Sequence, residues 1–261
     1  MVCCKKCNDV TLISSQDIAL SGASGYVINT AGYYKLCEDV NWYPGSTGQT
    51  AITIATGNVI LDFDNHWLNQ LNSASFQALG TCNGVLVNAN VNDVTIIANK
   101  GGISNIAGWG INFGSSGANS TIRLEGLTVK GCGSNARSGT SGSALYTSVD
   151  GGVRLGVFTS SSSNALLVTE VLLRNLRILN SKNIGVSVGL NKDLLMEDCV
   201  IDGTTATVEV SSVTGMQIIG PNGETPSISR VANVRINRVM VSNTKCTVLN
   251  NTGNIGGVIG G

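Results

Sequence analysis

The feature that most constrains the fold is a short pattern that recurs without a fixed period. An Asn, Asp or Gly turn is followed by alternating apolar residues and then by another polar turn, in segments 58–65, 92–99, 120–129, 170–180, 193–202 and 233–243. Alternation with a period of two places every second side chain on one face, as in a β-strand. No helical apolar stripe persists for a dozen residues. The sequence therefore predicts an all-β protein with little or no helix.

The spacing of these segments indicates a solenoid. The first inward apolar residues of the six segments are taken as equivalent: Val59, Val94, Ile122, Val171, Leu194 and Val234. The successive separations between them are 35, 28, 49, 23 and 40 residues. The shortest separation is about one coil of a three-sided β-solenoid. The longer ones are one coil with inserted loops, or two coils for the separation of 49. A second similarity, between 183–189 and 254–260, has an offset of 71, which is near three coils.

The composition suits such a stack. Gly numbers 33 and Asn 28 of the 261 residues, and both tolerate the left-handed backbone conformation needed at corners between strands. Charged residues are only 12%, as expected where like charges would otherwise align from coil to coil. A β-sandwich is the rival fold, but it prefers tight Asn-Gly or Asp-Gly hairpins between long alternating strands, and none is present.

Charge and hydropathy exclude other classes. Lys and Arg together number 16, as do Asp and Glu, so the net charge is zero and no basic cluster points to nucleic acid. No apolar run approaches the roughly 18 residues of a transmembrane helix. The N-terminus lacks the apolar stretch of a secretory signal. We expect neither a nucleic-acid partner nor a membrane partner.

Residues 25–68 carry a family resemblance. They contain Gly-Tyr-Tyr-Lys-Leu-Cys-Glu-Asp at 32–39, Ala-Ile-Thr-Ile at 51–54 and Asn-Val-Ile-Leu-Asp-Phe-Asp-Asn-His at 58–66. This stretch resembles the opening of right-handed parallel β-helix proteins of the pectate-lyase-like superfamily, and especially uncharacterised β-helix repeat proteins of giant DNA viruses. The resemblance implies a single-stranded right-handed parallel β-helix, and a location in the virion or host cytoplasm.

The predicted organisation is one β-helix domain. Residues 1–40 form an N-terminal tail and cap, and residues 41–261 form the β-helix with its loop insertions. Because 254–261 looks like the start of another coil, either the chain is truncated or a partner subunit covers that end. Solenoids of this type associate laterally, so we expect a homo-oligomer, with a trimer favoured.

Enzymes on this fold cleave acidic polysaccharides, so acidic and basic pairs are the catalytic candidates. Asp62 and Asp64 alternate with Phe63, so an inward Phe63 would direct both carboxylates outward, where they could bind Ca²⁺. A coil of 23 residues could stack Arg174 or Arg177 beneath Met196–Asp198, so that Arg174 and Asp198, with Glu197 beside them, could belong to a uronate site or to ordinary ion pairs between coils. The chain lacks the catalytic sequence motifs of the hydrolases in that superfamily. We expect ordinary structural roles for all four residues, and a structural role for His66.

The cysteines raise the question of metal. Cys3, Cys4 and Cys7 could supply zinc ligands, but no fourth ligand is visible nearby, and an intersubunit disulfide or a disordered end is favoured. The five later cysteines are expected to be mainly small buried hydrophobes: Cys37, Cys82, Cys132, Cys199 and Cys246. We expect no cofactor, with Ca²⁺ and Zn²⁺ as the alternatives.

Aromatic residues and long loops could form an interaction surface. The aromatic residues that could act as binding platforms are Trp42, Tyr43, Trp67 and Trp109, with Trp42 and Tyr43 alternatively capping the first coils. Mobile loops are expected at 131–142, 158–164 and 221–226.

These features favour a non-enzymatic structural or interaction protein, a virion-associated or surface-fibre component that binds itself and other virion proteins. A polysaccharide lyase, glycosidase or glycan-binding module is the alternative. A metal-tethered or disulfide-tethered assembly through the N-terminal cysteines is a third possibility.

Overall fold

The computed structural model describes residues 6–7, 9–21, 25–46, 48–72, 82–88, 90–113, 121–133, 150–156, 168–206, 212–219, 233–246 and 254–260. Statements about the structure refer to these residues.

The described residues form one short helix and many strands. The N-terminal elements are β1 (Lys6–Cys7), β2 (Val10–Ile13), α1 (Ser15–Leu20), β3 (Tyr26–Ile28), β4 (Gly32–Leu36), β5 (Val40–Trp42), β6 (Thr50–Ile54), β7 (Val59–Asp62) and β8 (Trp67–Gln70). The central elements are β9 (Asn83–Val87), β10 (Val94–Ile97), β11 (Gly102–Ser104), β12 (Trp109–Phe113), β13 (Thr121–Glu125), β14 (Thr128–Lys130), β15 (Gly151–Leu155), β16 (Val168–Arg174) and β17 (Arg177–Leu179). The last are β18 (Ile184–Glu197), β19 (Val200–Asp202), β20 (Thr205–Ala206), β21 (Ser212–Ile219), β22 (Asn233–Asn237), β23 (Met240–Ser242), β24 (Lys245–Cys246) and β25 (Asn254–Gly260).

Three parallel sheets contain nearly all of these strands. Sheet A consists of β2, β4, β7, β10, β13, β16, the second half of β18 and β22, and β1 pairs with β2 in the antiparallel sense. Sheet B consists of β3, β6, β9, β12, β15, the first half of β18, β21 and β25. Sheet C consists of β5, β8, β11, β14, β17, β19 and β23, while β20 and β24 form a small separate sheet.

The chain visits the three sheets in a fixed cyclic order. It passes from sheet B to sheet A to sheet C and back to sheet B, and each strand pairs with its equivalent one circuit later. We call one such circuit a coil and number the coils from β3–β4–β5. The predicted all-β character is confirmed, and the arrangement is solenoid-like and consistent with a parallel β-helix.

The six predicted equivalent positions are confirmed strand by strand. Val59, Val94, Ile122, Val171, Leu194 and Val234 lie directly opposite one another in sheet A. Each separation is therefore a single coil, and the alternative of two coils for the separation of 49 is wrong. The offset of 71 spans two coils rather than three, because β18 pairs with β21 and β21 with β25. Loop insertions, which the strand pattern does not encode, account for both errors.

Inward apolar columns hold the coils together. The first five of those six residues are at most 4% exposed, whereas Val234 in the last of these coils is 42% exposed. A second column repeats this difference, with Leu124 and Leu173 fully buried and Ile236 41% exposed. Within the described residues, β22 has its only strand partner in β18, which leaves its second edge open.

Left-handed residues form the corners between sheets. Among described non-glycine residues with positive φ, all except Arg238 are Asn or Asp. Gly126, Asn175, Asp198 and Arg238 take this conformation at the same corner of successive coils, directly after sheet A. Each is followed by an inward apolar residue, so the one-residue kink swings the chain into sheet C.

The N-terminal helix packs against the first coil. Ser14 caps α1 reciprocally with Asp17, and Ile18 is 2% exposed within the core. Strands β3 and β4, at residues 26–36, already pair with β6 and β7. The predicted domain boundary at residue 40 stays a prediction.

Candidate functional site

The first candidate cluster lies on the outer face of sheet A in coils 1 and 2. Strand β7 buries Val59 and Leu61 and ends at Asp62, and Phe63 after it is fully buried. Asp64 then turns the chain with a φ of 51°. The adjacent strand β4 places Lys35 directly opposite Asp62. The structure therefore brings the two predicted carboxylates together.

Every oxygen of these two carboxylates has a partner. The Tyr33 hydroxyl donates to Asp62 Oδ2, and the Asp64 backbone N–H donates to Asp62 Oδ1 at 2.6 Å. Lys35 Nζ lies 3.1 Å from Asp64 Oδ2, and Asn65 Nδ2 lies 3.1 Å from Asp64 Oδ1. The pair is thus occupied by internal donors, and Asp62 is only 8% exposed.

Tyr33 acts as a hydrogen-bond donor to this pair. Burial, together with the hydrogen bond to Asp62, raises the pKa of Tyr33 to about 12. The hydroxyl therefore stays protonated at neutral pH and stabilises the buried carboxylate. His66 lies nearby, with Nδ1 3.5 Å from Asp39 Oδ1, and that same carboxylate oxygen accepts the Trp67 N–H at 2.9 Å.

The second candidate cluster is a set of ion pairs between coils 5, 6 and 7. Arg174 lies opposite Glu197 in the predicted register, and its Nη2 is 2.9 Å from Glu197 Oε2. Arg238 pairs with Asp198, with Nη2 2.8 Å from Oδ2. Hydrogen bonds from Arg174 and Asn237 lower the pKa of Glu197, and the hydrogen bond from Arg238 lowers the pKa of Asp198. A general acid at neutral pH needs the opposite shift.

A third feature is a cavity of about 420 Å³ where the strands of sheet A begin. Thr121, Glu170, Asp193 and Asn233 lie opposite one another on successive strands along it. Asn233 Nδ2 lies 2.7 Å from Asp193 Oδ1. Glu170 had no role in the sequence analysis, although its position one residue before Val171 would have placed it beside Asp193.

A fourth feature is a larger groove of about 660 Å³ at the corner between sheets A and C. Its charged lining consists of Lys100, Lys130 and Arg177, with Glu125. Glu125 Oε2 accepts from Arg123 at 2.6 Å, and none of the described ion pairs includes Lys100, Lys130 or Arg177. Sequence reasoning missed this groove because its residues lie in four different coils.

The predicted aromatic platforms are largely covered. Trp42 and Trp109 are 6% and 5% exposed, and the Arg154 guanidinium lies 5.7 Å from the Trp109 ring centroid. Lys130 Nζ lies 4.3 Å from the centroid of Trp67. Of the four aromatic candidates, Tyr43 has the open side chain, at 64% exposure.

The cysteines divide into two groups. Cys82, Cys132 and Cys199 are free and buried, as predicted. Cys37 is disulfide-bonded, so its prediction as a small buried hydrophobe is wrong. The described backbone of Cys37 lies beside β2, since its N–H bonds to the Ile13 carbonyl. Sequence spacing alone does not reveal such a pairing.

The other cysteine and loop predictions concern residues whose surroundings are not described. Cys3 and Cys4 lie outside the described residues. Cys7 and Cys246 belong to strands β1 and β24, but only their backbone is described. The described part of the chain contains no group of three or more His, Cys, Asp or Glu side chains that could hold a metal ion. Apart from 131–133, the predicted loops 131–142, 158–164 and 221–226 also fall outside the described residues.

Comparison of the chain with protein families, with curated proteins and with solved structures found no match. Within the described ranges, no helix has the length and apolar character needed to cross a membrane.

Proposed function

We propose that this protein is a right-handed parallel β-helix with a structural or interaction role, and that it acts as a homo-oligomer rather than as a carbohydrate-cleaving enzyme. A place in a viral particle follows from the family resemblance alone.

The ion-pair ladder on sheet A carries the proposal. Arg174 and Arg238 each engage a carboxylate of the neighbouring coil, and both carboxylates have lowered pKa values. These groups are ionised and engaged in bonds between coils, which is the state expected of residues that join successive coils. Hydrolysis of a glycoside needs a protonated carboxyl beside an ionised one.

The test combines an activity assay with a mass measurement. We expect no product from polygalacturonate, followed by absorbance of unsaturated ends and by reducing ends, with and without Ca²⁺. Light scattering should give a multiple of the 26.9 kDa chain mass. Turnover that disappears in Asp62→Asn or Arg174→Ala would overturn the non-enzymatic role. A monomer at every concentration would overturn the oligomer.

Glycan binding is the second candidate function, favoured by the groove between sheets A and C. Its lining combines three cations with Trp67, Asn99 and Asn175, a set that suits an acidic sugar chain. Lys130 would have to leave the Trp67 ring before a sugar could stack on that face. Titration calorimetry with oligogalacturonate tests this, and Arg177→Ala should weaken binding because it removes one of the three groove cations.

A further inference from the structure

The groove between sheets A and C is lined by three cations from successive coils, at neighbouring register positions rather than in one line. Lys100 belongs to coil 3, Lys130 to coil 4 and Arg177 to coil 5, and all three are exposed. We call these three residues the basic stripe. Successive coils are about 4.8 Å apart. On sheet A, by contrast, cations such as Lys35 and Arg174 meet carboxylates of the same chain.

The opposite edge of sheet A carries a row of acids. Glu170 of coil 5 and Asp193 of coil 6 lie directly opposite each other, and Glu170 also lies opposite Thr121 of coil 4. Asp93 of coil 3 precedes Val94, which pairs with Ile122, so it occupies the equivalent position. We call Asp93, Glu170 and Asp193 the acidic stripe. The two stripes therefore lie beyond opposite ends of the sheet A strands, and coils 3 and 5 carry a member of each.

We propose that the basic stripe of one copy packs against the acidic stripe of a second copy. This interface rests on the homo-oligomer of the proposed function and names the surfaces that build it. The stripes are different surfaces of the same chain, so the contact is heterologous and closes into a ring if the rotation permits. The outer face of sheet A, between the stripes, then faces the ring axis.

The register of this contact follows from symmetry. A rotation axis parallel to the stack keeps every coil at the same height in all copies, so residues of equal coil number meet. Lys100 then faces Asp93 in coil 3, and Arg177 faces Glu170 in coil 5. Both basic residues lack an ion-pair partner among the described residues of their own chain.

Two observations favour a second copy over another anion. The same molecule supplies carboxylates at the other end of sheet A in coils 3 and 5, the coils that carry Lys100 and Arg177. The aromatic ring that would stack on a sugar is already covered by Lys130. Apolar side chains on the face between the stripes, including Ile60 at 37% exposure, would also lose water on assembly.

Charge reversal and charge swap test the interface by light scattering at low ionic strength. With a trimer, the wild type should give three chain masses of 26.9 kDa, about 81 kDa. Arg177→Glu and Glu170→Arg should each raise the concentration for half-assembly by about tenfold or more. The chain carrying both substitutions should assemble again, because the swapped charges meet at every contact. Lys245→Glu is the matched control, since Lys245 is an exposed cation on β24, in the small separate sheet with β20.

The outcomes separate the two proposals. Circular dichroism and thermal unfolding of each variant establish that the fold is kept, and Arg177→Gln gives a milder second variant. A wild-type monomer at all concentrations overturns both the oligomer and this interface. A wild-type oligomer that Arg177→Glu and Glu170→Arg leave intact overturns the interface alone. If both single variants fail to assemble and the double variant does not recover, the pairing is overturned. It is also overturned if oligogalacturonate dissociates the oligomer while Glu170→Arg leaves assembly unchanged.

Discussion

At the scale of single residues, the corners explain the unusual composition. Asn and Asp hold the left-handed conformation at nearly every described corner that lacks glycine, because their short polar side chains tolerate it. Arg238 is the exception, with a φ of 50°, and its guanidinium binds the Asp198 carboxylate of the preceding coil. A corner residue must therefore first be able to adopt the left-handed backbone conformation, and the contacts of its side chain come second.

We expect Gly126→Ala to destabilise the fold. Gly126 has a φ of 72°, and a Cβ there would lie 2.1 Å from the Ala98 carbonyl oxygen. Relief requires the backbone of the neighbouring coil to move, so the free energy of unfolding should fall by about 1–3 kcal/mol. Urea denaturation measures it. Gly45→Ala is the control, since nothing lies within 4 Å of its added Cβ. Equal stability of the two variants would contradict the steric account.

Tyr33→Phe should change how stability depends on alkaline pH. The pKa of Tyr33 is raised from 10.0 in the unfolded chain to about 12 in the fold, mainly by burial. Its contribution is therefore present below pH 10 and is lost as the pH rises toward 12. Denaturation between about pH 9 and about pH 12, a window that covers both pKa values, should show a steeper fall for the wild type than for the variant. Parallel curves would contradict a raised pKa of Tyr33 in the fold.

At the scale of elements, strand register turns isolated charges into a ladder. Glu125, Arg174, Glu197 and Asn237 lie at one position of successive sheet A strands. The first three alternate in the sign of their charge, so neighbouring charges attract, and Asn237 donates a hydrogen bond to Glu197. The low overall charge content is compatible with such a ladder because the charges are ordered by sign.

Arg174→Met should weaken the pH dependence of stability on the acid side. Arg174 is the main cause of the lowered pKa of Glu197, whose contribution is present above its unfolded value of 4.5 and is lost as the pH falls. Without the guanidinium, the decline in stability from pH 6 to pH 3 should be shallower, as followed by urea denaturation. Arg235→Met, which removes an arginine outside the described ion pairs, is the matched control. A decline as steep as in the wild type would contradict this assignment.

Sequence reasoning predicted the register better than the count of coils. The position of Val59 and its equivalents was readable because an inward apolar residue after a polar turn is a local signal. The number of coils between Ile122 and Val171 could not be read from the sequence, because the length of an inserted loop has no periodic pattern. The Asp62 and Arg174 clusters followed from local alternation and from one coil length. The groove with Lys100 and Arg177 required the strand pairing of both sheet A and sheet C to be known.

At the scale of the whole molecule, stability should decline along the stack. Leu124 and Ile236 belong to one inward column, yet their exposures are 0% and 41%. We expect Leu124→Ala to lower the free energy of unfolding by about 2–5 kcal/mol, as in other packed cores. Ile236→Ala should cost clearly less, because much of that side chain is already in water. Thermal unfolding of both variants measures this, and equal losses would show that the last coils are covered in solution.

The tolerance for loops of any length gives this scaffold a modular route for evolution. Insertions vary the interval between equivalent residues from 23 to 49 while the strand pairing is unchanged. Duplication or deletion of a whole coil would likewise change the length of the molecule by a step of about 4.8 Å without altering any other coil. Descendants of one ancestral chain could thus differ in length while retaining coils 3 to 5, and with them the surfaces that we propose bring copies together.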